Sequence, residues 1–345
     1  MTRITPKDQA KAGFGVEFDW DIPLLRGYNH IFARNISRNP SVGAFRGIVL
    51  EGVERLFKGI SPDIIIVFGW FPYGYQQVIR YANKNRIPLF IRGESNLLMT
   101  MFVMKKIFKE FYMRYLLKKF DRFLSIGKQN TFFYRHFGVD NTKIFFTPYS
   151  VDTDFFRKEF AKHKRDKDKF NFGFSGKFIH KKRPCDFLEA AAKSKNRKQI
   201  RVIMIGEGPL KGELSRLGTR LGLDVEFRGF LNQGELVKTG YCDIDCLVLP
   251  SGGSETWGLV VNEVMTGGIP AIVSDAVGCG LDLIEEGRSG FTFRYKDVDC
   301  LSEKIDTFIE LKKKDFPFSK FVLDKIEDYS LYKTVEGFLE TIASI

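Results

Sequence analysis

The sequence lacks any long apolar run. Its most apolar stretches, such as residues 97–104, fall well short of the roughly 18 to 20 residues that a membrane-spanning helix needs. The start, M-T-R-I-T-P-K-D-Q-A-K, also lacks the apolar core of roughly 7 to 15 residues found in a secretory signal. We therefore expect a cytoplasmic protein that does not cross a bilayer.

Cysteine and histidine are few and scattered. The sequence has five cysteines without a C-x-x-C pair and four histidines without H-x-H or H-E-x-x-H spacing. These patterns argue against a disulfide framework and against a zinc or histidine metal site. We expect reduced thiols, mostly in the core, at Cys185, Cys242, Cys246, Cys279 and Cys300.

Acidic residues are scarce only in the first half. Residues 1–165 carry 28 Lys and Arg against 14 Asp and Glu, a balance of +14, and residues 166–345 carry 26 against 28, a balance of −2. The net charge of +12 therefore belongs to the first half. A one-sided field of this kind attracts nucleic acid, an anionic membrane surface or phosphorylated substrates, and charge alone does not choose among them.

Length and patterning predict two α/β domains. A chain of 345 residues that is 44% hydrophobic and 28% charged has the size and composition of two globular domains. Short β-rich runs alternate with helical stretches, which indicates parallel sheets covered on both faces. The predicted strands are S-P-D-I-I-I-V-F-G, I-P-L-F-I-R-G, D-R-F-L-S-I-G, F-N-F-G-F-S-G, I-R-V-I-M-I-G-E-G, V-E-F-R-G, D-C-L-V-L-P-S and I-P-A-I-V-S-D.

The domain boundary is expected near residue 155, because residues 157–169 form a strongly charged segment suited to a link. We predict Rossmann-like domains at residues 1–155 and 156–328, facing each other across a cleft. Residues 329–345 are predicted to form a C-terminal helix that returns to the first domain. A ligand is expected in the cleft, beyond the carboxyl ends of the strands.

The most informative segment follows the strand C-L-V-L-P and reads S-G-G-S-E-T-W-G-L-V-V-N-E-V-M. Gly258 ends a loop and a helix is predicted to start at Leu259, so Glu255 lies on the loop and Glu263 lies one turn into the helix. A helix start with a close glycine is suited to a diphosphate. Glu263 could then accept bonds from a ribose diol and Glu255 from a second sugar ring, although both acids could equally be solvated or complement the helix dipole.

This segment, with its E-x7-E spacing and the following G-I-P-A-I-V-S-D, resembles the donor-binding signature of retaining glycosyltransferase family 4, which has the GT-B fold. F-S-G-K-F-I-H-K-K-R-P resembles the family's strand-end segment, in which two cations contact the donor diphosphate. The resemblance implies that Glu255, Lys177 and Lys182 are catalytic. It implies donor contacts at Glu263, Gly258, Leu259, Thr256, Trp257, Gly176, Gly206 and Gly208.

Transfer of a sugar from a nucleotide requires cations and dipoles to stabilise the departing diphosphate, and the resemblance assigns this work to Lys177, Lys182 and the helix start. It implies no metal, no cofactor beyond the nucleotide-sugar substrate, and a front-face route that retains the anomeric configuration. The D-I-D motif at Asp243 to Asp245 could hold a divalent ion, but it leads directly into a strand. Gly206, Gly208 and Gly176 could be simple turns, Lys177 and Lys182 surface cations, and Trp257 a packing residue.

The first half departs from the family, because the family's usual first strand and glycine-rich loop are not recognisable in it, and Gly13 and Gly15 are poor substitutes. Arg92 and Glu94 stand where the family has a histidine, and they are expected to orient the acceptor or the donor sugar. Residues 99–123 are basic and rich in aromatics. They could form a core-facing helix with a basic outer face, or lie at the inner face of an anionic membrane.

We predict a hexosyltransferase-type enzyme that uses a nucleotide sugar, with UDP favoured, and a glycan or lipid-linked acceptor. A sugar epimerase or phosphorylase of the same fold is one alternative. A catalytically impaired protein that binds nucleotide sugar or an anionic surface is another, suggested by the shortened first half. Nucleic acid is not an expected partner, because no motif for it is recognisable.

Overall fold

The computed structural model describes residue 17 and residues 25–98, 103–162 and 169–345, without the side chains of 103–108. Gly13, Gly15, residues 99–102 and residues 163–168 of the charged segment lie outside this description. The chain divides into two compact units, and it passes from the first to the second between Pro148 and Tyr149. This point lies slightly before the boundary predicted near residue 155.

The first unit contains a parallel sheet of four strands in the order β1-β2-β3-β4. Each of the first three strands is followed by a helix, as the alternating pattern of the sequence predicts. The elements are α1 (Val53–Ile60), β1 (Ile65–Val67), α2 (Tyr73–Asn85), β2 (Leu89–Arg92), α3 (Val103–Leu117), β3 (Arg122–Ser125), α4 (Lys128–His136) and β4 (Ile144–Phe146).

The C-terminal residues from Tyr332 onward also belong to the first unit. They form most of the last helix, α12 (Leu331–Ala343). Thr334 Oγ1 of this helix donates to the carbonyl of Pro148 at 2.8 Å. Gly337 lies so close to the chain after β4 that a Cβ there would stand 2.0 Å from the carbonyl oxygen of Phe146. The small residue at 337 therefore lets α12 pack directly on the backbone.

The second unit contains a parallel sheet of six strands in the order β10-β9-β8-β5-β6-β7. The strands are β5 (Phe170–Ser175), β6 (Ile200–Ile205), β7 (Asp224–Gly229), β8 (Cys246–Leu249), β9 (Ala271–Ser274) and β10 (Gly290–Phe293). The helices are α5 (Thr153–Ala161), α6 (Pro184–Lys193), α7 (Lys211–Arg220), α8 (Leu259–Met265), α9 (Gly280–Leu283), α10 (Val298–Lys313) and α11 (Phe318–Glu327). A helical turn, Gln233–Glu235, leads into a π-helix, Leu236–Tyr241.

Both sheets have buried cores. In the six-stranded sheet, strands β8 and β9 are buried along their whole length, which explains why their sequences are continuously apolar instead of alternating. All eight predicted strands are present. Two further strands, β4 and β10, were not predicted; they are only three and four residues long.

The strand order of the second unit fixes where a ligand can bind. Successive strands run outward in one direction from β5 to β7 and in the other from β8 to β10, so the order reverses between β5 and β8. In open parallel sheets a crevice forms at this reversal, outside the carboxyl ends of the strands. The loops that follow Ser175, Ile205 and Leu249 meet there.

The helix α3, within the segment 99–123, has one face in the core and one exposed face. Met113, Leu116 and Leu117 are buried in the core of the first unit. Phe111 and Tyr115, one turn apart, are 72% and 62% exposed. None of the helices in the described part of the chain is both long enough and apolar enough to span a bilayer.

Candidate active site

A cavity of about 360 Å³ opens at the carboxyl ends of β5, β6 and β8 in the second unit. Its walls combine small residues, cations, two carboxylates and apolar side chains. The lining residues are Ser175, Gly176, Lys177, Lys181, Lys182, Ile205, Gly206, Phe230, Leu231, Gln233, Leu236, Tyr241, Glu255, Gly258, Leu259, Val260 and Glu263. Eight of the predicted site residues thus share one cavity: Gly176, Lys177, Lys182, Gly206, Glu255, Gly258, Leu259 and Glu263.

Glycine at 206 permits the turn at the end of β6. Its φ of +132° is rarely adopted by other residues. A Cβ there would stand 2.0 Å from the carbonyl oxygen of Gly176, so the turns after β5 and β6 can lie in direct contact. Gly208 supports the same arrangement from behind, because a Cβ there would meet the backbone of Phe178 at 2.6 Å. Gly208 itself does not line the cavity.

The loop that carries Glu255 is fixed by backbone hydrogen bonds to the segment after β9. The amide of Gly278 donates to the carbonyl of Glu255 at 3.1 Å, and the amide of Cys279 donates to the carbonyl of Trp257 at 3.0 Å. The Glu255 carboxylate forms an ion pair with Lys182, and their side chains are only 16% and 18% exposed. The fold therefore positions a loop carboxylate against a cation of the turn His180–Lys182 in the cavity lining.

Three lysines crowd one wall of the cavity. Burial lowers the pKa of Lys177 from its usual value, the neighbouring charges of Lys181 and Lys182 lower it further, and Glu255 acts in the opposite direction. Of these lysines, Lys182 forms the ion pair with Glu255. A cation-rich, partly desolvated wall of this kind favours an anionic ligand, because the ligand would relieve the repulsion among the lysines.

Gly258 begins the helix α8 in the left-handed region, with a φ of +104°. Its Cα faces packed side chains, because an added Cβ would be 3.0 Å from Leu249 Cδ2 and 3.3 Å from Val277 Cγ1. The first helical residues, Leu259 and Val260, line the cavity. The helix start is therefore part of the wall, where its amides and dipole favour negative charge.

Glu263 lies one turn into α8 and is partly buried at the cavity wall. Burial raises its pKa to about 7, and a hydrogen bond from Tyr241 acts against that rise. The Tyr241 hydroxyl donates to Glu263 Oε2 at 2.7 Å and lies 3.2 Å from Ser175 Oγ. Burial also raises the pKa of Tyr241, so the phenol remains a donor.

Trp257 lies behind the cavity wall. It is 3% exposed, and its Nε1 donates to Asn262 Oδ1 at 2.7 Å. Asn262, which is fully buried, donates in turn to the carbonyl of Tyr149 at 2.9 Å. Tyr149 and Tyr329 flank the indole, with ring centroids 6.0 and 5.9 Å away. Trp257 thus packs beneath the loop, and neither it nor Thr256 lines the cavity.

Arg92 and Glu94 belong to the first unit, at and just beyond the carboxyl end of β2. Arg92 Nη2 donates to the carbonyls of Thr147 and Pro148 at 3.3 and 3.2 Å. Its guanidinium also lies 6.0 Å from the ring of Phe338. These contacts connect the end of β2 to the segment after β4 and to α12.

The carboxylates of the D-I-D motif have protein partners. Asp243 accepts from Arg228 Nη2 at 2.8 Å, and Asp245 accepts from the amide of Asn171 at 2.9 Å. Across the described part of the chain, no group of three or more His, Cys, Asp or Glu side chains is arranged to hold a metal ion.

Several lining residues were not predicted. Ser175 and Lys181 could have been found, because Ser175 ends a predicted strand and Lys181 stands beside Lys182 in the sequence. Tyr241 gave no such signal: it ends a π-helix, a rare element that no periodicity predicts. Apolar residues 230, 231 and 236 likewise resemble ordinary core positions.

Comparison with known proteins shows that part of the chain is similar to a family. Residues 155–320 match the model of the family described as Glycosyl transferases group 1. Curated relatives match shorter stretches. The sulfoquinovosyl transferase SQD2 of Arabidopsis thaliana is 35% identical over 134 residues, which is 38% of this chain and 25% of that protein.

A GDP-mannose-dependent alpha-(1-6)-phosphatidylinositol dimannoside mannosyltransferase of Mycobacterium tuberculosis is 38% identical over 74 residues. That stretch is 21% of this chain and 19% of the relative. The matches therefore span a quarter or less of these two relatives.

Solved structures show the fold over most of the chain. Anabaena Alr3699/HepE in complex with UDP has a TM-score of 0.68 at 17% identity, covering 85% of this chain and 82% of that one. The lipopolysaccharide outer core galactosyltransferase WaaB, in its apo form, has a TM-score of 0.66 at 20% identity, covering 85% and 78%. The predicted α/β class with two parallel sheets, as in GT-B glycosyltransferases, is thus confirmed. Within that fold, the stretch similar to glycosyl transferases group 1 is residues 155–320.

Proposed function

We propose that the protein is a retaining glycosyltransferase of family 4 that moves a hexosyl group from a nucleotide sugar to a glycan or lipid-linked acceptor without a metal ion. The observation that carries this proposal is the cavity of the second unit, in which eight residues of the donor signature come together. The match of residues 155–320 to glycosyl transferases group 1 supports it independently.

The lysine wall would hold the donor diphosphate. Lys177 and Lys182 lie beside the start of α8, so ammonium groups and helix amides would face the same anion. As the sugar–phosphate bond breaks, negative charge grows on the departing diphosphate, and these preorganised charges stabilise it. Lys182 would leave its ion pair with Glu255 for the phosphate, which frees the carboxylate for the transferred sugar.

The two carboxylates would divide the donor between them. Glu263, hydrogen-bonded to Tyr241 and close to the apolar side chains of Phe230 and Leu231, would accept from the ribose hydroxyls beside the base. Glu255, at the cation-rich wall, would accept from the hydroxyls of the transferred sugar. In the retaining route, the departing phosphate helps to deprotonate the acceptor.

UDP is the favoured nucleotide because structures of the neighbour HepE contain UDP and UDP-glucose. The name of the mycobacterial relative points instead to GDP-mannose, so the nucleotide has to be tested. The acceptor would bind to the first unit, with Arg92 and Glu94 among its contacts. The basic surface of that unit would also suit the inner face of an anionic membrane.

A panel of UDP, GDP and ADP, with their sugars, tests the donor site by thermal shift, because a ligand that binds only the folded state raises the melting temperature. UDP compounds should give the largest shift. Glu263→Ala should abolish that shift, whereas Glu255→Ala should keep much of it and abolish transfer of labelled sugar.

Glu303→Ala is the matched control, since Glu303 is an exposed acid on α10 and lies away from the cavity. It should behave like the parent in both assays. The donor assignment would be contradicted by equal shifts in the parent, Glu255→Ala and Glu263→Ala.

A binding protein without turnover is the second candidate. The described part of the first unit has a sheet of only four strands, against six in the second unit. A short first unit could leave the donor site intact and the acceptor site incomplete. In that case UDP would stabilise the protein, and the labelled nucleotide sugar would be neither transferred nor hydrolysed.

A further inference from the structure

Tyr241 contacts the carboxylate of Glu263, although it lies outside the segment that carries Glu255 and Glu263. It is the last residue of the π-helix Leu236–Tyr241 and is 1% exposed. Its hydroxyl donates to Glu263 Oε2 at 2.7 Å. Ser175 Oγ lies 3.2 Å from the same hydroxyl. Among the described residues, Oε1 of Glu263 receives no hydrogen bond.

The backbone just before Tyr241 is anchored by a network of charged groups. That backbone is held by Arg228, whose Nη1 donates to the carbonyls of Thr239 and Gly240 at 2.6 and 3.1 Å. The side chain of Arg228 is anchored in turn by ion pairs with Glu226 and Asp243. Arg228 thus holds the backbone that leads into Tyr241, and the buried ring places its hydroxyl against Glu263.

The groups around Glu263 determine how much the Tyr241 hydrogen bond affects its pKa. Other charged groups in the cavity are Lys177, Lys181, Lys182 and Glu255. The helix α11, which packs against α8, carries Lys320, Asp324, Lys325 and Glu327, and none of these four described residues lines the cavity. The two influences on the pKa of Glu263 are burial, which raises it to about 7, and the Tyr241 hydrogen bond, which lowers it.

We propose that Tyr241 is a positioning residue for Glu263: its hydroxyl binds Oε2 and leaves Oε1 directed at the vicinal diol of a nucleoside diphosphate. This inference rests on the proposed donor site. A protonated Glu263 would have one oxygen occupied by its own proton, and a rotated one would present the wrong edge. Loss of the tyrosine hydroxyl should therefore weaken recognition of the ribose hydroxyls more than recognition of the diphosphate.

Tyr241→Phe tests this, because it keeps the ring and removes only the hydroxyl. UDP and 2′-deoxy-UDP would be titrated calorimetrically into the full chain between pH 6 and 9. The parent should prefer UDP by about 10-fold, as expected for a hydrogen bond to a charged acceptor. In the variant that preference should fall to about 3-fold or less at pH 7, and it should recover only at higher pH. Because both probes carry the same diphosphate, its own titration and that of the lysines cancel in the ratio.

Tyr329→Phe is the matched control. Tyr329 is also buried and also donates to a carboxylate, Asp282 Oδ1 at 2.8 Å, but neither residue lines the cavity. This variant should keep the parental UDP preference and its pH dependence.

Each outcome has a distinct meaning. Parental preference and parental pH dependence in Tyr241→Phe would overturn the positioning role while leaving the donor site standing. A uniform loss of affinity for both probes, without a shift along the pH axis, would reduce Tyr241 to a packing residue and also overturn it. If the parent and the control bind neither probe, the proposed donor site fails and this inference fails with it.

Discussion

Glu263 is a carboxyl group that the fold withdraws from bulk water, and this should be measurable in stability as well as in binding. Its pKa rises from 4.5 to about 7. Between these two pH values the folded state holds the proton more often than the unfolded state does. The stabilising contribution is therefore fully present below about pH 4.5 and is lost as the pH rises through about 7.

Replacement of Glu263 by Gln removes this titration while keeping the size of the side chain. The parent should lose stability relative to Glu263→Gln as the pH rises from 4.5 to 8, by at most on the order of 3 kcal/mol, because the carboxyl also meets water in the cavity. Urea unfolding of both proteins across this range measures the difference. A difference that stays constant with pH would show that Glu263 has an ordinary pKa in the fold.

At the scale of elements, the strands were predictable and the connections were not. β8 and β9 are continuously apolar and β6 nearly so, and such runs between helical stretches are typical of a parallel sheet. The strands β4 and β10 are short, so their patterns were too weak to recognise. The π-helix places Tyr241 beside Glu263 through tertiary packing, for which the sequence carries no periodic signal.

In the candidate site, too, some positions were predictable from the sequence and others depend on how the loops pack. The residues at strand ends and at the start of α8 were predictable, because the topology brings those positions together whatever their side chains are. The exact set of residues that line the cavity was not predictable, because Trp257 and Thr256 lie within the predicted segment but do not line the cavity. Their positions depend on how the loop 252–258 folds against Gly278 and Cys279, and this is a property of the packed structure.

Adding a single methyl group at position 206 tests the contact between the turns after β5 and β6. Gly206→Ala forces an unfavourable φ and places Cβ 2.0 Å from the Gly176 carbonyl oxygen. We expect a loss of roughly 2 kcal/mol or more in the free energy of unfolding, together with loss of the UDP thermal shift. Chemical denaturation and the nucleotide panel measure the two effects.

Gly212→Ala serves as the control for that experiment. Gly212 lies near the start of α7 in the same unit, with open space around an added Cβ. Alanine is the better helix former, so stability should stay unchanged or rise by up to about 1 kcal/mol. Equal stability of Gly206→Ala and the parent would mean that the two turns can separate without cost.

At the scale of the whole molecule, the basic first half of the chain also carries exposed aromatic residues on one helix. The +14 balance of residues 1–165 includes Arg114, Lys118 and Lys119 on and just after α3, the helix that exposes Phe111 and Tyr115. Aromatic side chains flanked by cations are typical of elements that lie at an anionic lipid surface. The opposite face of the same helix is core, so the helix needs no refolding to make such a contact.

Vesicle binding tests this surface. The protein should sediment with vesicles of phosphatidylglycerol and phosphatidylcholine but not with phosphatidylcholine alone, and added salt should release it because each cation near the surface contributes about 1 kcal/mol that salt screens. The double replacement Phe111→Ser and Tyr115→Ser should weaken binding by about 10-fold or more, since it removes the apolar part of the contact. Leu281→Ser, which alters a residue that is 53% exposed in the second unit, should bind like the parent. If the double variant sediments as the parent does, α3 is not the membrane contact, and binding that ignores both salt and anionic lipid would exclude an electrostatic association altogether.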